Sequence, residues 1–377
     1  MKRYQFVYFD AGGGHRAAAT ALKTVIDKTV TDGGEGPREI TLVNLQEVLH
    51  SLDIFRKTTG IRLEDIYNLM LAKGWTLGAA QGLRFMHGVT RLYHGAMVRL
   101  LARHWAETKP DLVVSLVPNF NRQMFESLRR ASPQTPYVTI LTDFADYPPH
   151  FWIERQNQYF VCGTPKAVEQ ARALGHPDGR IFRTSGMILR PDFYDPLKVD
   201  RAEELARLGL DPARPTALVL FGGQGSNVML EIAARLEGTQ LILVCGKNES
   251  LASKLRARKH PGHHVQGFST AIPYFMRLAD FFIGKPGPGS ISEAVAMKLP
   301  VIVESNAWTL PQERYNAEWI KEQRVGEVLP NFRHIREAVD KMLGSLDQYR
   351  EAVGGIRNRA VFEIPDILAR IADQPVP

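Results

Sequence analysis

The sequence predicts an α/β protein of two similar halves, on three observations. Short apolar runs alternate with helical patterns along all 377 residues, the signature of helices layered on parallel sheets. A strand, a glycine turn and a helix follow one another near the start of each half. Between the halves lies SGMILRPDFYDPLKVD (185–200), followed by LDPARPT (210–216), with the Pro and Asp punctuation of a linker. At about 150 residues per domain, the length accommodates two domains, each with its own core.

In the first half Tyr4–Phe9, Ile40–Val43, Leu112–Val117, Tyr137–Leu141 and Tyr159–Cys162 read as strands. In the second, Thr216–Phe221, Gln240–Cys245, Asp280–Ile283 and Pro300–Val303 do so. Tyr4–Phe9 runs into Asp10-Ala11-Gly12-Gly13-Gly14-His15, and Arg16 opens a helix. Thr216–Phe221 runs into Gly222-Gly223-Gln224-Gly225-Ser226, and Val228 opens another. Such a turn presents backbone N–H groups and a helix dipole of about +0.5 charge to a ligand. One unit per half predicts two Rossmann-like domains facing each other across a cleft. The expected divisions are 1–186, 187–350 and a helical segment 351–377 packing back on the first domain.

Composition removes several classes. Two cysteines, Cys162 and Cys245, make no disulfide framework and no zinc site; they and the pair His263-His264 read as buried strand residues and a loop. The apolar run at the start ends at Asp10, too soon for a signal-peptide core. No stretch approaches about 18 uninterrupted apolar residues. The net charge is +7, and residues 1–186 hold 23 basic against 17 acidic residues. Within 51–105 eight basic residues face three acidic ones. An anionic partner follows, either nucleic acid or a lipid surface. Nucleic acid is disfavoured because no compact Lys/Arg stripe or recognisable binding module accompanies the charge.

Gly12-x-Gly14-x-x-Ala17 formally fits a dinucleotide fingerprint. That fingerprint needs an acidic residue ending the second strand, and here Val43-Asn44-Leu45 stands instead. A third loop, Gly284-Lys285-Pro286-Gly287-Pro288-Gly289-Ser290, leads into Ile291-Ser292-Glu293-Ala294. A diphosphate held by its N–H groups and the Ser290 hydroxyl would leave Glu293 in reach of a ribose. The same residues also read as a structural capping box, Ser290-x-x-Glu293.

At this point the motifs, in their order, resemble the GT-B glycosyltransferases of the monogalactosyldiacylglycerol synthase and processive diacylglycerol glucosyltransferase group. These are cousins of the transferase that adds N-acetylglucosamine to the peptidoglycan lipid precursor. AGGGHRAAA (11–19), LTDF with Trp152, SGMILRPDF (185–193), FGGQGS, LVCGKN, VQGF and KPGPGSISEA carry the resemblance over nearly the whole chain. It implies His15 as the group that contacts and deprotonates the acceptor hydroxyl, with Asp143 orienting it or acting as base itself. It implies Gly223, Gln224, Gly225, Ser226, Gly289 and Ser290 around a diphosphate, Phe268 near uracil and Glu293 on the ribose. Gln312 and Glu313, with Asn316 following, are implied near the transferred sugar. Residues 314–315 are Arg-Tyr where the galactolipid enzymes commonly have small residues, so the sugar is left open.

The implied reaction is attack of a lipid hydroxyl, most simply that of diacylglycerol, on C1 of a UDP-hexose, with inversion. No Asp-x-Asp occurs, and glycine loops at helix N-termini stabilise a leaving diphosphate, so no metal and no cofactor is expected. Val89, Leu92, Tyr93, Ala96, Met97, Leu100, Leu101 and Trp105 form a helical stripe expected to face the core. Ile54 to Met86 is glycine-broken, basic and aromatic, as suits an interfacial element. Gly13 and Gly14 with Arg56, Lys57, Arg62 and Trp75 are the expected acceptor and membrane contacts. The protein is expected in the cytoplasm, peripherally on the inner face of the cell membrane.

Overall fold

The computed structural model describes residues 1–10, 14–31, 38–49, 91–196 and 199–373. Among these the chain divides into two compact units. One holds the described residues up to Pro191 together with those from Asn358 onward; the other is Asp192–Arg357.

The first unit is built on six parallel strands: β1 (Lys2–Tyr8), β2 (Arg38–Asn44), β3 (Leu112–Ser115), β4 (Tyr137–Ile140), β5 (Tyr159–Cys162) and β6 (Ile181–Arg183). Their order is β2-β1-β3-β4-β5-β6, with Tyr4 opposite both Ile40 and Leu112. Every residue of β3, β4 and β5 is buried. That fits a parallel sheet covered on both faces, whose strands must be apolar throughout. The second unit repeats the plan with β7 (Thr216–Leu220), β8 (Gln240–Val244), β9 (His263–Gln266), β10 (Phe281–Gly284), β11 (Val301–Glu304) and β12 (Gly326–Leu329). The order is β12-β11-β10-β7-β8-β9, again all parallel. The α/β reading is thus observed in both halves.

Three strands were not anticipated: β6, β9 and β12. Each lies at a sheet edge, where one side lacks a neighbour and the continuous apolar run of a central strand is not required. His263-His264, expected in a loop, begins β9, and all four residues of that strand are only half-buried. Cys162 and Cys245 are free and buried as expected. The expected stripe at 89–105 is partly corrected. The helix is His94–Thr108 and buries Met97, Val98, Leu101 and Trp105, whereas Leu92 precedes it and is 79% exposed. Arg91, Arg99 and Arg103 are exposed.

The C-terminal helix Ala360–Asp373 packs against the helix Gly14–Thr31 of the first unit. It buries Ile364, Ile367, Leu368 and Ile371. Its entry is fixed by the 185–187 segment. Glu363 accepts hydrogen bonds from the Ser185 backbone N–H (2.8 Å) and hydroxyl (2.6 Å), and Asn358 donates to the Met187 carbonyl (2.9 Å). Lys2 donates to the Ala372 carbonyl (3.0 Å) and pairs with Asp373. Leu368 has no exposed surface, so Leu368→Ala is expected to destabilise the protein by about 2–5 kcal/mol, read by urea denaturation.

Candidate functional site

In each sheet one central strand sends its successors to opposite sides. β1 is flanked by β2 and β3, and β7 by β8 and β10. Loops leaving the carboxyl ends at such a switch point diverge and open a crevice for a ligand. The second glycine turn predicted from the sequence follows β7; of the first, Gly14 and His15 open the helix after β1, and residues 11–13 lie outside the described residues.

In the first unit His15 is the second residue of the helix Gly14–Thr31, which follows β1. Its Nδ1 lies 3.1 Å from Thr142 Oγ1, just beyond β4. Its ring centroid is 5.9 Å from that of Trp152. Burial pushes the imidazole down from 6.5 to about 4, and a hydrogen bond to the Leu116 backbone works against that shift. The imidazole is therefore neutral at physiological pH. Asp143 is buried, and its Oδ2 accepts the Trp152 indole N–H at 2.8 Å. Thr142 and Trp152 were quoted from the sequence only as part of a motif; the fold brings both against His15.

In the second unit the loops after β7 and β8 interlock. Gly222, Gly225 and Gly246 all have positive φ (75°, 61° and 60°), which glycine adopts without strain. A Cβ on Gly225 would run into the Cys245 carbonyl oxygen, and one on Gly246 into that of Gly223. The Lys247 N–H closes the pair by donating to the Gly223 carbonyl (2.8 Å). Gly223 and Gln224 are exposed at the tip, and Ser226 is half-buried at the start of the next helix. Phe268, 54% exposed, lies beyond β9 with Lys247 Nζ 5.5 Å from its ring centre.

The third loop differs from one sequence reading. The helix after β10 is Pro288–Ala296 with Gly287 at its N-cap and no side-chain cap bond. Proline is pre-organised for the first helical position, so the helix starts before Ser290, which sits inside the first turn. The Ser290-x-x-Glu293 capping box is therefore absent. The N–H groups of Gly289 and Ser290 lie in the turn that has no intrahelical acceptors, and Gly289 is exposed while Ser290 and Glu293 are half-buried.

Lys285 ties this loop to the 312–316 segment, and sequence reasoning assigned it nothing. Its Nζ is 3.3 Å from Oε1 of Glu313, which is 8% exposed. Built Cβ atoms on Gly222 and Gly287 would lie 3.9 and 3.2 Å from its Cε. One cation thus stands between both glycine loops and the buried Glu313; a lysine beside a Gly-Pro turn was the available signal. Asn316 is fully buried and donates to the Pro286 carbonyl (2.8 Å), while its Oδ1 and Gln312 Oε1 are buried without a hydrogen-bond partner. Tyr315 donates its hydroxyl to Glu322 along its own helix (3.1 Å). From β9 to β10 the edge spans three inter-strand gaps, about 14 Å.

Gly13, Arg56, Lys57, Arg62 and Trp75 lie outside the described residues, as does most of the basic 51–105 segment. Among the described residues no helix is long and apolar enough to cross a membrane. Among them, too, no cluster of three His, Cys, Asp or Glu is arranged to hold a metal ion.

Residues 15–186 match the family model described as monogalactosyldiacylglycerol (MGDG) synthase, and residues 216–352 match the glycosyltransferase family 28 C-terminal domain. The chain is 26% identical over 408 residues to the chloroplastic monogalactosyldiacylglycerol synthase of Spinacia oleracea, covering 100% of this chain and 73% of that protein. It is 27% identical over 357 residues to monogalactosyldiacylglycerol synthase 3 of Arabidopsis thaliana, covering 86% and 71%. Among solved structures, Acinetobacter baumannii MurG superposes with a TM-score of 0.60 at 11% identity, covering 98% of this chain and 100% of that one. The UDP-GlcNAc 2-epimerase of Neisseria meningitidis does so with 0.57 at 14% identity, covering 98% and 100%. The architecture is that of GT-B glycosyltransferases, and an epimerase shares it.

With the His15 pKa lowered, its neutral form is favoured in the folded state. The resulting stability is present above pH 6.5 and is lost as pH falls through that value toward 4. An NMR titration should show the His15 imidazole neutral from about pH 5 upward.

Proposed function

We propose, because the chain belongs to the monogalactosyldiacylglycerol synthase family of GT-B glycosyltransferases, that it transfers a hexose from a UDP-sugar to the hydroxyl of diacylglycerol. The observation that carries this reading is the match of both halves, one to each of two glycosyltransferase models, in one chain. The donor sugar is taken as galactose from the relatives, which are monogalactosyldiacylglycerol synthases.

The diphosphate is assigned to the turn Gly223, Gln224, Gly225 and Ser226 and to Gly289 and Ser290, with Gly225 shaping the turn, since its own N–H donates to the Gly222 carbonyl (3.2 Å). Uracil falls at Phe268, the ribose at Glu293, and the hexose at Gln312, Glu313 and Asn316. The unpartnered oxygens of Gln312 and Asn316 are ready acceptors for sugar hydroxyls. In the reaction the acceptor oxygen bonds to C1 as the C1–O bond to the diphosphate breaks. UDP leaves with the electron pair, and one displacement inverts the anomeric centre. The hydroxyl proton passes to His15, which is neutral, or to Asp143, which follows Thr142 in the chain and accepts the Trp152 indole N–H. A positioned base contributes about 100- to 10,000-fold. Charge growing on the diphosphate meets oriented N–H dipoles and Lys285 in place of a metal. The acceptor resides in a bilayer, so the protein works at a membrane surface. There each Lys or Arg contributes about 1 kcal/mol toward anionic lipid.

UDP release with UDP-galactose, UDP-glucose and UDP-N-acetylglucosamine, on diacylglycerol vesicles and in excess EDTA, tests the reading. Turnover with UDP-galactose that survives EDTA and is faster on phosphatidylglycerol-containing than on neutral vesicles is expected. Transfer to no lipid acceptor would sink it, and activity abolished by EDTA and restored by Mg²⁺ would remove its metal-free part. A crossed pair of variants separates the two halves. His15→Ala should lower kcat by at least about 100-fold with UDP affinity unchanged in calorimetry. Glu293→Ala should instead weaken UDP binding by about 1.5–3 kcal/mol.

A further inference from the structure

We propose that Asp146 is a positioning residue: it holds Trp152 in the one placement that sets its indole against His15 and fastens the Asp143 carboxylate. The inference rests on the reading of His15 and Asp143 as the acceptor-side groups, and it concerns a carboxylate that reading does not use.

The geometry is a clamp on one residue. Asp146 Oδ1 accepts the Trp152 backbone N–H at 2.7 Å, and the N–H groups of Ile153 and Tyr147 also favour its charged form. Asp146 is itself fixed: its N–H donates to Gln170 Oε1 (2.8 Å), and Gln170 Nε2 returns to the Asp146 carbonyl (3.0 Å). On the other side the Trp152 carbonyl accepts from Asn121 Nδ2 (3.2 Å). That amide is locked by Val117, Tyr137 and Thr139. Trp152, with no exposed surface, then delivers its indole N–H to Asp143 and its ring to His15.

The carbonyl side is held by a neutral amide and the N–H side by a carboxyl group. An asparagine at 146 would supply an acceptor without the cost of burying charge. That cost is visible: burial pushes Asp146 up to about 6, opposed by the three N–H groups and aided by Glu154. The groups facing it from neighbouring elements add little relief. Glu154 is buried and paired with His150 at 2.8 Å, and His176 Nε2 meets the Glu154 carbonyl at 2.9 Å. The Cys162 thiol of β5 is pushed up to about 12 by burial and by Asp146 itself, and Arg180 acts on His176.

The ionised carboxylate accepts the Trp152 N–H at charge-assisted strength, with the Ile153 and Tyr147 N–H dipoles favouring the same charged form. Once protonated it loses acceptor capacity and gains an O–H directed at donors. The hold on Trp152 therefore slackens as pH falls through about 6, a range in which His15 is still neutral. The acidic limb of the transfer reaction belongs to Asp146, not to His15.

Asp146→Asn is the test, with Trp152→Phe used to assign the Trp152 indole N–H resonance. In wild type that resonance should shift with a midpoint near pH 6, and in Asp146→Asn it should not. The variant should lose about 10- to 100-fold in kcat at pH 7.5, the scale of a misplaced catalytic group, with UDP affinity unchanged. Its acidic limb should move from near 6 toward 4. It should be at least as stable as wild type at pH 7.5. Because the folded-state pKa is raised, wild type should gain on it as pH falls from 7 through 6. An indole resonance flat from pH 5 to 7.5, or titrating equally in Asp146→Asn, overturns the inference. So does a variant that is unstable at pH 7.5 yet keeps the wild-type pH profile. The resonance needs no turnover: a normal titration in a protein that transfers no sugar supports the clamp and rejects the proposed function instead.

Discussion

Everything chemical in this protein depends on the parallel pairing of its strands. Two parallel neighbours need a crossover that returns over a sheet face, so the faces are covered and the central strands are buried along their length. Only the strand ends remain for function. At the carboxyl ends the crossovers diverge where the strand order reverses, after β1 and after β7. His15 follows the first and the Gly222–Ser226 turn the second. Neither placement requires a special device beyond the order of the strands.

Within the second unit the glycines act as a set. Gly225 leaves room for the Cys245 carbonyl and Gly246 for that of Gly223, so the two loops fit only because both lack side chains. What this leaves exposed is the turn tip at Gly223 and Gln224, ahead of a helix whose N-terminal dipole favours an anion without a charged residue. Lys285 adds one cation behind it, balanced by Glu313 at 3.3 Å. The pair gives a buried carboxylate a cationic partner, the condition under which buried charge is tolerated.

The first unit handles buried charge differently. Asp143, Asp146 and Glu154 are all buried in one stretch of loop, where, among the described residues, neither Asp143 nor Asp146 is held by a lysine or arginine in the way Glu313 is held by Lys285. Asp143 takes an indole N–H, Asp146 backbone N–H groups and Glu154 a histidine. Polar networks of this kind fix side chains closely when every member is satisfied, and here the fixed residue is Trp152, between a carboxylate and an imidazole.

The sequence by itself determined the class of fold, the two halves and the glycine turn after β7. Those features are written locally: apolar runs for buried strands, glycine where φ is positive, proline where a helix opens. It left β6, β9 and β12 unread, because an edge strand is under no demand to be apolar. It placed a cap at Ser290, because Ser-x-x-Glu carries the capping pattern whether or not Pro288 has already begun the helix. His15, Asp143 and Glu293 were legible as candidates from position and resemblance. Their environments were not. The lowered imidazole, the Thr142 contact, the Lys285–Glu313 pair and the hold of Asp146 and Asn121 on Trp152 all join residues distant in the chain. Tertiary structure alone decided them, since desolvation and hydrogen bonding depend on what packs nearby, and no spacing along the chain records that.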